Sequence, residues 1–120
     1  MLFRSAVLRN DTGQWDPAVL ADATTNVRCT FPDPLLGVPA NRTLGLVLAG
    51  DDGLHQMRYA MFGADCSPGS FGHAGAYGQV GWADPATGTS VAFLKNGLNA
   101  DMVADAVHLI PVVDLASRLD

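Results

Sequence analysis

Ser70-Phe71-Gly72-His73-Ala74-Gly75-Ala76-Tyr77-Gly78-Gln79-Val80-Gly81-Trp82-Ala83-Asp84-Pro85 is the stretch around which the chain is organised. A glycine stands at every third position from Gly72 to Gly81. Between the glycines lie Phe71, Val80 and Trp82, which favour strands. A strand with so few Cβ atoms lets another backbone or a ligand come close. Asp84-Pro85-Ala86-Thr87-Gly88 then reads as a turn, with proline fixing φ and glycine free to take positive φ. The reading predicts three strands, over 70–76, 78–83 and 89–95, the last two forming an antiparallel hairpin.

Outward from that centre, the loop 64–69 leads into the first of these strands. Before it, an apolar run at 43–49 and an alternating run at 54–59, separated by Gly50-Asp51-Asp52-Gly53, predict a second hairpin. The segment 30–39 carries three prolines and reads as loop. Asp16-Pro17 is a helix start, with the aspartate as cap and proline at the first helical position, predicting a short helix over 18–24. Residues 1–8 read as the end of another helix. Asn41-Arg42-Thr43 matches a glycosylation sequon, read here as chance.

Downstream, 91–94 is apolar on both alternating faces, as for a strand covered on both sides. Asn99 or Asp101 caps a final helix whose expected buried face is Met102, Val103, Ala106, Val107 and Ile110. Pro111 is expected to kink or end it, with 112–119 continuing as a second segment. The fold class is therefore α+β, an antiparallel sheet with flanking helices. The organisation is one partial domain, with helix and loop over 1–42, strands over 43–97 and a C-terminal helix over 98–120.

Composition narrows the function. The chain has 120 residues, enough for one domain, with 48% hydrophobic and 16% charged residues, which excludes a disordered chain. All twelve acids are aspartate, and the net charge is −5. The seven basic residues form no cluster, so no nucleic-acid partner is expected. No run approaches about 18 apolar residues, so no membrane span is expected. No secretory leader is visible, which leaves the cytoplasm as the default location. Cys29 and Cys66 form no Cys-x-x-Cys pair; they are either two reduced structural thiols or one disulfide. His55, His73 and His108 lack metal-ligand spacing, so neither metal nor cofactor is expected.

Phe71-Gly72-His73-Ala74-Gly75, then Gly78 through Pro85, closed by Leu94-Lys95-Asn96-Gly97, resembles the late strands of one superfamily: the serine β-lactamases, penicillin-binding proteins and β-lactamase-like esterases. Its third motif is Lys-Thr-Gly in many β-lactamases and His-x-Gly in many esterase-like members, and here it reads His73-Ala74-Gly75. On periodicity alone His73 is a strand histidine bonding within the fold. The resemblance instead implies a cleft-lining histidine that handles charge and protons near neutral pH. It implies that Ala76 donates its backbone N–H to an oxyanion hole, and that Gly75 keeps the strand edge clear for a small ester or amide substrate. Tyr77, Gln79 and Trp82 read as packing and Asp84 as a turn cap.

The same resemblance exposes a gap. The superfamily's nucleophile is the serine of Ser-x-x-Lys. None of Ser5, Ser67, Ser70, Ser90 and Ser117 has a lysine three residues on, and Lys95 is the only lysine. Tyr-x-Asn is also absent. The expectation is the C-terminal part of a serine hydrolase, beginning at an internal methionine or in a truncated frame and inactive alone. Its apolar sheet face would then be exposed or buried in a homodimer. The alternatives are a non-catalytic binding or assembly module and a gene remnant.

Overall fold

A computed structural model describes residues 10, 13–34, 37–51, 55–97 and 99–119, without the side chains of 55–57 and 102. The expected helix over 1–8 lies outside the described residues. Helix α1 is Pro17–Thr25, β1 is Asn41–Arg42, β2 is Val47–Leu48, and helix α2 is His55–Phe62. Three longer strands follow, β3 Phe71–Gly75, β4 Gln79–Asp84 and β5 Thr89–Phe93, and then helix α3 Met102–Ala116. The strands form one antiparallel sheet in the order β1-β2-β3-β4-β5.

The three central strands fall where the glycine-rich stretch predicts them, and Gly88 N–H closes the β4–β5 turn on the Asp84 carbonyl at 2.9 Å. Asp16 caps α1 by accepting from Ala18 N–H at 2.8 Å and Val19 N–H at 3.1 Å. Asp101 caps α3 through the Val103 and Ala104 N–H groups.

Register sorts the side chains onto two faces, because successive residues of a strand point oppositely. Val80, Trp82, Val91, Phe93 and Ala74 share the back, where α2 and α3 pack. Phe62 meets Trp82 edge-on, with ring centroids 6.3 Å apart. Gly72 is opposite Trp82, and a Cβ on Gly72 would lie 2.5 Å from the Trp82 Cβ, so the tryptophan fills the place a side chain would take. The front carries Phe71, His73, Gly75, Gln79, Gly81, Ala83, Ser90 and Ala92. Only Phe71 and Ala83 are buried there, under Trp15, Leu20, Leu46 and Leu48.

Four expectations are corrected. Residues 54–59 do not form a hairpin strand: the described part belongs to α2. Gln56, Arg58, Ala60 and Met61 are helix formers, and the adjacent Met61 and Phe62 both reach the core, which a single face of a strand does not allow. The apolar run at 43–49 contributes only two strand residues, because 43–46 form the turn back to β1.

Helix α3 buries a different face from the one expected. Val103 is 71% and Val107 55% exposed, and Ile110 is also exposed, while Asp105, Leu109, Val113 and Ala116 are buried. The helix is apolar on more than one side, and contact with α2 selects the stripe that starts at an aspartate. Pro111 neither ends nor divides the helix. It sits on the exposed side with Val107, whose carbonyl loses its i+4 donor where water can replace it. The front of β5 is uncovered among the described residues, as expected for the apolar sheet face of a partial domain: Leu94, just past its end, is 74% exposed and Ala92 is exposed.

A buried polar clamp closes the back of the sheet. Asp84 is 2% exposed and accepts from Ser67 N–H at 2.8 Å, Ser67 Oγ–H at 2.5 Å and Ala86 N–H at 2.9 Å. Burial is the largest influence on its carboxyl and pushes its pKa up. The Ser67 hydroxyl, the two N–H groups and the Ser70 hydroxyl outweigh it, and the carboxyl sits below the usual range. Arg58 donates to the carbonyls of Gly50 and Cys66. Cys29 and Cys66 are free thiols, and burial pushes Cys66 up.

Candidate functional site

Strand β3 is paired along its whole length by β4, but β2 reaches only its first two residues: Leu48 opposes Phe71 and Val47 opposes Gly72. From His73 to Gly75 the outer edge of β3 is open among the described residues. The Ala49 N–H donates to the Ser70 carbonyl at 2.8 Å, so the backbone groups of Ser70 face the β2 side. Peptide groups alternate along a strand. Gly72 and Ala74 therefore face the same side. Beyond Gly72 that side has no strand against it among the described residues.

His73 stands opposite Gly81 on the front face and is exposed. Its Nδ1 lies 2.5 Å from the Ala74 carbonyl oxygen. A carbonyl only accepts, so Nδ1 is the donor in this contact. Gly75 ends the strand and is exposed. Ala76 opens the turn to β4, where Tyr77 and Gly78 both take positive φ, 61° and 71°. Gln79 Nε2 donates to the Ala76 carbonyl at 3.4 Å. The three residues named from sequence thus lie together on one open stretch of edge.

The described serines are elsewhere. Ser70 is fully buried. Ser67 donates to Asp84, and Ser117 to the Asp114 carbonyl. Ser90 shares the front face with His73 but lies on β5, two strand spacings across and two residues along, about 12 Å. Alternation alone could have placed Ser90 on that face once the register was known. His108 is on α3, and among the described residues no three His, Cys, Asp or Glu gather to hold a metal. No described helix is long and apolar enough to cross a membrane. At the start of β3 a shallow apolar groove of about 360 Å³ lies between α1 and Phe71, bounded by Pro17, Leu20, Thr24 and Pro85; it contains no titratable side chain.

A β-lactamase family model matches residues 6–113. The chain belongs to the β-lactamase family. It is 36% identical over 80 residues to the esterase/β-lactamase LipL of Mycobacterium tuberculosis, a match covering 67% of this chain and 16% of LipL. Its fold superposes on the crystal structure of a β-lactamase from Mycobacterium bovis with a TM-score of 0.70 and 26% identity, over 96% of this chain and 40% of the other. The chain therefore spans well under half the length of either relative. The antiparallel sheet with flanking helices is a partial β-lactamase-like fold.

Proposed function

We propose that this chain is the C-terminal segment of a β-lactamase-like serine hydrolase of esterase type. It supplies the strand that binds a carbonyl and not the serine that attacks it. The observation that carries this reading is the edge of β3 that no described strand pairs from His73 onward, with Ala76 in the turn that follows it. In the whole enzyme a serine from outside these residues would attack an ester or amide carbonyl and expel the alcohol or amine. Water would then cleave the acyl-enzyme and release the acid. Ala76 N–H would stabilise the oxyanion of each tetrahedral intermediate, a contribution of a few kcal/mol for such donors, about 3. Gly75 would leave room for the acyl group, and His73 would offer Nε2 for proton handling. The uncovered apolar front of β5, at Ala92 and Leu94, would be buried by the rest of such an enzyme or by a second copy of this chain.

The test has two arms. The purified chain is treated with a serine-reactive fluorophosphonate and with chromogenic ester and β-lactam substrates; neither labelling nor turnover is expected. A chimaera in which this segment replaces the matched part of LipL is expected to be labelled and to hydrolyse ester. Stoichiometric labelling of the chain alone, abolished by mutating one serine, would overturn the missing nucleophile. A chimaera that folds but neither labels nor turns over would overturn the oxyanion role in favour of a binding module.

A further inference from the structure

The tip of the β3–β4 hairpin rests on the first turn of α3. Gly78 has φ +71°, and a Cβ there would lie 2.8 Å from the Asp105 carbonyl oxygen, so the two backbones are in direct contact. Tyr77 just before it takes φ +61°, a left-handed conformation unfavourable for any residue with a side chain. A turn strained in this way keeps its shape only when its surroundings hold it.

What it rests on is the backbone at Asp105. This residue is 3% exposed, although it sits one turn into a helix whose neighbours Val103 and Val107 face solvent. Its carboxylate accepts from Lys95 Nζ at 2.5 Å and from Asn99 N–H at 3.2 Å. The hydrogen bond from Lys95 is the main reason its carboxyl sits below the usual range, against the opposing push of burial. Lys95 lies two residues past the end of β5 and is the chain's only lysine. One aspartate therefore ties together the exit of β5, the loop into α3, the first turn of α3 and, through its own carbonyl, the hairpin tip.

We propose that Asp105 and Lys95 are a positioning pair that fixes the direction of the Ala76 N–H by seating the 76–78 turn on α3. The catalytic meaning of that direction rests on the oxyanion reading above; the seating itself does not.

The experiment is backbone ¹⁵N relaxation on the 120-residue chain by NMR. In Lys95→Gln and Asp105→Asn, the order parameters of Ala76, Tyr77 and Gly78 are expected to fall from the rigid-backbone level of about 0.85 to below about 0.6, with Trp82 and Val91 unchanged. Lys95→Arg is expected to keep the rigid values, since it retains the charge. Where Asp105→Asn does not fold, Lys95→Gln and Lys95→Arg decide between them. Unchanged tip order parameters in Lys95→Gln overturn the proposal. So does a fall shared equally by Trp82, which would mark a general structural brace, or Lys95→Arg behaving like Lys95→Gln. None of these readouts depends on acyl chemistry, so failure here is distinct from failure of the LipL chimaera.

Discussion

On the back of the sheet Trp82 and Val80 are covered by Phe62, Met61, Leu109 and Val113, and little is left open. On the front, the same strands present His73, Gly75, Gly81 and Ala92 under no described helix, and only Phe71 and Ala83 are sealed. The difference separates the two tasks of the segment. The back removes apolar area from water and holds the strands in register. The front keeps small side chains beside a histidine and an unpaired strand edge, where a carbonyl could approach. On the proposed function that face admits a ligand, and a face that does so cannot also be filled.

The largest effect should come from breaking the back. Trp82→Ala removes the side chain that meets Phe62 and fills the space over Gly72, and is expected to cost about 3–5 kcal/mol. That is a large share of the stability of any domain of this size. On the front, Ala92→Ser should change stability by less than about 0.5 kcal/mol. Urea titrations of the two variants check the contrast, and comparable losses would dissolve it. Trp82→Phe sharpens it. The indole N–H is buried with no acceptor among the described residues, so its removal returns part of the lost packing energy.

How far this division was legible in sequence depends on the element. Strands β3, β4 and β5 were legible because a strong turn signal lies between apolar runs, so local chemistry and tertiary structure agree. Helix α2 was not, because eight residues with alternating apolar character fit either period. The buried face of α3 was hidden because it begins with Asp105, and periodicity does not show that Lys95, ten residues earlier, makes that carboxylate buriable. His73, Gly75 and Ala76 were named by resemblance, whereas the strand edge beside them, unpaired among the described residues, depends on β2 ending after two residues. The turn at 43–46, with Gly45 at φ +75°, sets that length, and the apolar run around it suggested a longer strand.

An intermediate effect is expected where the back closes on a charge. Asp84→Asn replaces an acceptor-only carboxylate by an amide whose NH₂ must face the Ser67 or Ala86 donors. The expected loss at pH 7 is about 1–3 kcal/mol. The sign of the pH dependence follows from the lowered carboxyl. The folded state binds the Asp84 proton more weakly than the unfolded chain, whose carboxyl titrates near 3.9. The stabilisation is therefore fully present above about pH 5, and it is lost as pH falls through the unfolded value towards the lower folded one. Other aspartates titrate in the same window, so the measurement is the difference between wild type and Asp84→Asn across pH 3–7. That difference should narrow on acidification. A constant gap would mean that Asp84 serves by shape alone.

The smallest effect on stability, and the most informative one about the front, belongs to His73→Ala. The side chain is exposed, and among the described residues it bonds to the carbonyl of its own neighbour, Ala74. Thermal unfolding of the chain should move by no more than about 0.5 kcal/mol at the midpoint. In the LipL chimaera the same substitution removes the only imidazole on the open stretch of β3, and kcat/KM for ester hydrolysis should fall by about 10²-fold, the lower end for a positioned acid or base. Ala76→Pro deletes the N–H itself, at a position in the turn rather than within the strand ladder. It should cost a further factor of about 10² in kcat, as for a lost oxyanion donor. The comparison of faces requires that these two losses occur in folded protein, with the melting of the His73→Ala chimaera unchanged. If His73→Ala instead unfolds the chain while leaving the chimaera's turnover per folded molecule intact, the histidine belongs to the structure. The front would then be as much a packing face as the back, only waiting for its cover.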